Sequence, residues 1–332
     1  MKSLLVRALR KARRPLLYKY DQLKFLIRKH QTANPKSRRS FLENPPILDE
    51  VQQRILHELN QSGHAKADFF DLLPNSQNLW KELLESSNNL AQSQEALAAM
   101  NDFEQNGAGK NKKGKTYLYC LSERAKPYTL DLSHPLIKVA TEQKILDIAN
   151  SYLGPHSKLQ NADIWLTMPS PVNREATYSQ NWHRDRDDEK IIKVFLYFSD
   201  IDEECGPTEY IPESRLGGRY AYLCPVCSGN IPGHLVYPSP EKVEAAVPAA
   251  DRKKLIGKKG TLFFLDTTGL HKGGLSFSKT RLFGYLVYVS PASLLSKRLF
   301  EIIDSKQIEK NLSYSAQYSL DTSGCSSALK DY

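Results

Sequence analysis

Five short runs, Asp163–Met168, Lys193–Ser199, Thr208–Ile211, Thr261–Leu265 and Arg281–Val289, constrain the fold of this chain more than any other feature. Each is rich in Ile, Val, Phe or Tyr and is bounded by turn residues, the composition of half-buried strands. Only one short helical stretch, around Pro240–Ile256, falls among them. Strands that follow one another without helical crossovers pair antiparallel, so the second half of the chain is expected to form a barrel or a sandwich.

The first half reads as helical. Leu48, Val51, Ile55 and Leu59 share one helical face, and Ser62-Gly63 ends that helix. Residues 66–104 continue in a mostly helical pattern interrupted by Pro74, and residues 105–115 form a Gly- and Lys-rich loop. A single helix is expected over Leu136–Leu153, stopped by Gly154-Pro155. Asn34-Pro35 through Pro45-Pro46 reads as a linker. The expected organisation is a basic helical arm at 1–40 and a helical extension and loop at 41–115. A β core follows at 116–295, with an insertion at about 217–258, then a C-terminal helix and polar tail at 296–332.

Charge matters here because of where it lies. Residues 1–40 hold thirteen Lys or Arg and one acid, Asp21, a local charge of +12, whereas the chain as a whole is +9. The remaining residues are therefore slightly acidic, which argues against a nucleic-acid-binding body. The arm places Leu5, Leu9, Leu16, Tyr20, Leu23 and Ile27 on one helical face, split at Pro15. It reads either as a helix docked on the body or as a contact to an acidic membrane surface or another anionic partner.

No apolar run reaches the length of a membrane-spanning helix, and basic residues interrupt the start of the chain too often for an export signal. A cytoplasmic, reducing setting is expected, with peripheral membrane association as the arm's functional reading. Five cysteines at irregular spacing (Cys120, Cys205, Cys224, Cys227 and Cys325) fit thiols better than a disulfide framework. Cys224 and Cys227 form a lone Cys-x-x-Cys without the second pair of a zinc finger.

The chemistry centres on His183-Arg184-Asp185. In an extended chain, residues i and i+2 point the same way, so the imidazole and the carboxylate can converge on one metal ion. Two histidines and one carboxylate on one face of an octahedron leave three positions open and suit Fe(II). His271, after the apolar strand 261–265, is the best second histidine, and Arg281 follows ten residues later. A hairpin through the Gly273–Lys279 turn would return Arg281 beside His271, facing inward with Phe283 and Tyr285. A buried Arg calls for an anion, and its planar fork suits a carboxylate. The bland alternatives are a charged surface turn at 183–188 and a structural ion pair for Arg281.

With Trp182-His183-Arg184-Asp185, Lys193–Asp200, Gly206–Ser214, Gly260–Asp266, His271 and Arg281 in this order, the chain resembles the phytanoyl-CoA dioxygenase-like family of Fe(II)/2-oxoglutarate-dependent oxygenases, over about residues 48–295. The resemblance implies a mainly β fold, a double-stranded β-helix (jelly-roll, cupin-like) core with flanking helices and a helical N-terminal arm. It implies His183, Asp185 and His271 as iron ligands and Arg281 as the partner of the distal carboxylate of 2-oxoglutarate. It also implies O2 as co-substrate, ascorbate as a stimulant, and hydroxylation of a C–H bond of a small molecule with release of succinate and CO2. The Asp185 carboxylate argues against the halogenating relatives, which carry a small residue there.

Two departures stand out. Many relatives place Ser or Thr two residues after the Arg, where this chain has Phe283. The second carboxylate donor must then come from elsewhere, with Tyr178, Gln180, Lys193 and Thr208 as candidates. Many relatives also read Gly-Ser-His where this chain has Glu213-Ser214-Arg215. The rival functions are a catalytically silent jelly-roll binding protein that uses the arm, and a metal barrel that does not use 2-oxoglutarate.

Overall fold

The computed structural model describes residues 35–106, 117–120, 128–169, 176, 178–185, 187–224, 237–293, 298–303 and 312–321. Its core is a six-stranded antiparallel sheet. In spatial order the strands are β1 (His64–Asp68), β8 (Thr261–Asp266), β5 (Ile192–Tyr197), β10 (Arg281–Val289), β4 (Lys158–Thr167) and β2 (Tyr117–Cys120). A smaller sheet joins β7 (Lys253–Lys254), β6 (Glu209–Tyr210) and β9 (His271–Lys272), and His183 extends it through a bridge to His271. The two sheets form the expected jelly-roll. A two-stranded parallel sheet pairs β3 (Tyr128–Leu130) with β11 (Phe300–Ile302).

Alternation along the strands divides the interior in two. On β10, Leu282, Leu286 and Tyr288 pack with Leu262 and Phe264 of β8 and Val194 and Leu196 of β5 against the helices. The intervening Phe283, Tyr285, Val287 and Val289 pack with Phe195, Tyr197, Phe263 and Leu265 inside the barrel. Ile55 and Leu59 of the Glu50–Ser62 helix belong to the helical side, as their spacing requires. That helix opens on a capping box, Asp49 with Gln52, and ends at Gly63 with φ 82°. A Cβ at Gly63 would meet the Tyr210 hydroxyl at 2.2 Å, so glycine is required there for space as well as for backbone conformation.

Several expectations are corrected. The stretch read as one helix over 136–153 is two, Pro135–Ala140 and Gln143–Leu153. The Thr141 hydroxyl donates to the carbonyls of Ile137 and Lys138, and the chain turns extended at Glu142. The expected linker contains the helix Pro35–Glu43, with Phe41 and Ser37 buried. Proline at a first helical position favours a start rather than a break. Residues 64–68 are strand, not helix, because β1 pairs with β8 along its length. In the insertion the helix is only Pro240–Ala246, and β7 near its end adds an edge to β6.

The expected hairpin is absent. β9 pairs with β6, whereas β10 pairs with β4 and β5, so His271 and Arg281 stand on opposite sheets and face each other across the barrel. The arm residues 1–34 and the Cys227 half of the Cys-x-x-Cys lie outside the described residues. No helix among the described residues is long and apolar enough to cross a membrane.

The turn at 211–215 holds an unusual backbone. Glu213, exposed, has φ 55°, the one non-glycine with positive φ among the described residues. Substituting Glu213→Gly removes a left-handed penalty of about 1–2 kcal/mol while adding unfolded-chain entropy of about 0.4–1 kcal/mol. The expected result is a net gain of about 0.5–1 kcal/mol, read as a higher Tm.

Candidate metal centre and co-substrate site

The two candidate histidines are joined by their backbones. The N–H of His183 donates to the carbonyl of His271 at 2.9 Å, and the N–H of His271 returns the bond at 3.0 Å. The rings lie 4.2 Å apart between centroids. Two residues on, the Asp185 N–H donates to the carbonyl of Thr267 at 2.9 Å. The extended chain therefore turns His183 and Asp185 to one side and Trp182 and Arg184 to the other. Arg184 is buried and donates to the carbonyls of Thr268 and Ala221, so it is not part of a surface turn.

His183, Asp185 and His271 each offer a ligand atom, and the three atoms lie within 4.8 Å of one another. They form the one such group among the described residues. The tautomers are set from outside. The Nδ1 of His183 lies 2.8 Å from the Asn181 carbonyl, and that of His271 lies 3.0 Å from the Gly269 carbonyl. A carbonyl only accepts, so both Nδ1 atoms carry hydrogen and each Nε2 is the acceptor nitrogen of its ring. Those Nε2 atoms face the carboxylate, at 4.0 Å from His183 and 3.9 Å from His271.

The electrostatics prepare the same donor set. Burial, together with the neighbouring His183, lowers His271 to about 3, so its imidazole is neutral at neutral pH. Burial alone would raise the Asp185 carboxyl, but Lys193, His271 and His183 more than offset it and hold it well below the usual carboxylate range. Neutral imidazoles, an ionised carboxylate and a concave arrangement fit a divalent first-row ion such as Fe(II).

Lys193 enters this site directly. It projects into the barrel and donates from Nζ to Asp185 Oδ2 at 2.9 Å, beside the Tyr285 ring. Its hydrogen-bond partner is Asp185 of the candidate donor group, not Arg281. Asp187 stands close by, pushed up to about 6 by burial and by Asp185.

Arg281 is buried at the start of β10, with its guanidinium over the Phe283 ring at 4.7 Å. Its Nη1 donates to the Thr208 hydroxyl at 3.4 Å. Thr208, which stands next to β6 of the smaller sheet, thus meets Arg281 of the larger one. Gln180 is buried in the short helix Tyr178–Gln180 just before His183, and the Gly273 N–H donates to the Ser179 carbonyl of that helix.

Sequence reasoning missed Asp266 as an anchor. Its carboxylate accepts the Tyr152 hydroxyl at 2.6 Å and the Thr268 hydroxyl at 2.7 Å, fixing the loop that leads to His271. Tyr152 comes from a helix 114 positions away, so local spacing carries no signal of it.

Solved structures similar to this chain include the epimerase SnoN in complex with Fe3+, alpha ketoglutarate and nogalamycin RO, at 14% identity and TM-score 0.49, covering 75% of this chain and 87% of that one. EctD from S. alaskensis with 2-oxoglutarate and 5-hydroxyectoine is 14% identical with TM-score 0.47, covering 84% of this chain and 88% of its own. No curated protein matches the chain. Residues 48–278, more than half of the chain, match the family described as phytanoyl-CoA dioxygenase (PhyH). The chain therefore belongs to the phytanoyl-CoA dioxygenase family and is an Fe(II)/2-oxoglutarate-dependent oxygenase.

Proposed function

We propose that this oxygenase hydroxylates a C–H bond of a small molecule, with iron held by His183, Asp185 and His271 and the distal carboxylate of 2-oxoglutarate held by Arg281 and Thr208. The observation that carries the ligand assignment is the convergence of three donors, both histidines presenting Nε2, within 4.8 Å. When bound, the iron and its keto acid supply the oxidising power for O2 chemistry. The chain's own part is to hold, orient and exclude. Asp185 would supply the third protein ligand, the position that a halide takes in the halogenating relatives. Arg281 fixes the far end of the co-substrate, and Phe283, Tyr285 and Phe195 keep the barrel between the sheets apolar.

Purified protein given Fe(II), ascorbate and 2-oxoglutarate is expected to form succinate slowly without substrate, and 2-oxoglutarate is expected to raise its Tm. The absence of both sinks the reading. The small-molecule substrate is then sought as the compound that accelerates succinate formation and gains one oxygen atom by mass.

The arm gives the second element of the proposal. Its charge of +12 lies wholly before the matched region, and it fits contact with an anionic surface. The helix Pro35–Glu43 packs on the body through Phe41, whose ring meets His156 at 5.6 Å, so a truncation should stop at residue 34. Removal of residues 1–34 is expected to abolish binding to vesicles containing phosphatidylserine and to leave succinate formation intact. Undiminished vesicle binding refutes the arm's role.

A further inference from the structure

One loop, residues 266–270 between β8 and β9, touches every segment that bears a candidate iron ligand. Its Thr267 carbonyl holds the Asp185 N–H at 2.9 Å, and its Thr268 carbonyl holds the Arg184 guanidinium at 2.6 Å. Its Gly269 carbonyl orients the His271 ring, and His271 in turn pairs with His183. The position of this loop is therefore the position of the metal site.

The loop is held from inside by Asp266, which is 1% exposed. The Asp266 carboxylate accepts from the Thr268 N–H at 3.1 Å, the Thr268 hydroxyl at 2.7 Å and the Ile191 N–H at 3.4 Å. Its fourth donor is the Tyr152 hydroxyl, at 2.6 Å, from the Gln143–Leu153 helix. That hydroxyl also accepts from Arg215, whose guanidinium donates in addition to the carbonyls of Asn60 and Gln61 at the end of the Glu50–Ser62 helix. A phenol that accepts from a guanidinium has its own hydrogen directed at its other partner, here Asp266. Burial, with Asp266 adding to it, raises the Tyr152 hydroxyl well above its usual value, so it remains a donor.

We propose that Arg215 and Tyr152 are positioning residues for the iron site, acting through Asp266 on the 266–270 loop and so on the geometry of His183, Asp185 and His271. The proposal rests on the assignment of those three residues as iron ligands. It also gives a role to Arg215, whose guanidinium joins the end of the Glu50–Ser62 helix to Tyr152. The relay runs from a half-buried side chain beside the 217–258 insertion to the metal loop. It touches neither co-substrate nor the expected place of reaction.

Metal binding tests the relay without requiring a substrate. Fe(II) is titrated anaerobically into the full chain without 2-oxoglutarate, well below Tm, and Co(II) is used as a coloured probe of coordination geometry. The variants are Tyr152→Phe, Arg215→Met and the double substitution. Tyr288→Phe is the control: it removes a buried phenol bond of 2.8 Å to the Ala140 carbonyl on the helical side of the sheet. Each relay variant is expected to weaken Fe(II) by about tenfold, within the usual range for loss of an outer partner of a metal ligand. The Co(II) visible bands are expected to shift, and the double variant is expected to be no weaker than the poorer single one, because both act on one path. Tyr288→Phe should lower Tm and leave metal affinity and spectrum unchanged.

Iron affinity within twofold of the wild type in Tyr152→Phe overturns the relay and leaves the ligand assignment standing. Multiplied effects in the double variant, or an equal loss in Tyr288→Phe, also overturn it. Wild-type protein that binds neither metal removes the ligand assignment and the relay together.

Discussion

Asp185→Ala is expected to lose Fe(II) binding by more than the roughly 10–100-fold that follows loss of an outer partner, and with it succinate formation. Asp185 is the one anionic donor of the three, and Lys193, donating to it at 2.9 Å, is left in the barrel without its carboxylate. On the proposed assignment the variant removes a metal ligand and leaves a desolvated ammonium behind. Equilibrium dialysis of iron under anaerobic conditions, with Tm recorded alongside, checks both consequences. Iron binding at wild-type strength would show that the carboxylate is not a ligand.

Arg281→Ala is expected to separate the two cofactor sites. Arg281 lies on the larger sheet and the three candidate donors lie around the smaller one, so the substitution leaves the proposed ligands in place. Loss of a charge-assisted bond to the distal carboxylate costs about 1.5–3 kcal/mol, or roughly 10–150-fold in 2-oxoglutarate affinity. Fe(II) affinity measured without 2-oxoglutarate should stay within twofold of the wild type. Thr208→Val is expected to weaken 2-oxoglutarate in the same direction but by less, since Thr208 brings a single neutral hydroxyl, 3.4 Å from Arg281. Unchanged 2-oxoglutarate affinity in Arg281→Ala would place the co-substrate elsewhere in the barrel.

What was legible in the sequence is what depends on neighbours along the chain. The strand Arg281–Val289 is legible to the residue because alternation and β-branching are local properties, and both faces of it are filled as alternation requires. His183 and Asp185 are legible because two-residue spacing on extended chain fixes their common direction. β1 is not legible: His-Ala-Lys-Ala-Asp has no strand propensity of its own, and it becomes strand only because β8 lies beside it.

The false hairpin has a similar cause. The ten-residue step from His271 to Arg281 reads naturally as a turn between partners, yet a jelly-roll carries the chain from one sheet to the other at that point. Distance in sequence also hid the bond from Lys193 to Asp185 and the Tyr152–Asp266 pair. The +12 arm was legible as a charge, but its boundary was not, because Pro35 opens a helix that docks on His156.

The most direct test is a crystal structure of the chain grown anaerobically with Fe(II) and 2-oxoglutarate, with data collected on both sides of the iron absorption edge. The account predicts one anomalous peak bonded to the Nε2 atoms of His183 and His271 and to a carboxylate oxygen of Asp185, with the distal carboxylate of 2-oxoglutarate on Arg281. An iron peak away from those three atoms, or a co-substrate that does not reach Arg281, would contradict it.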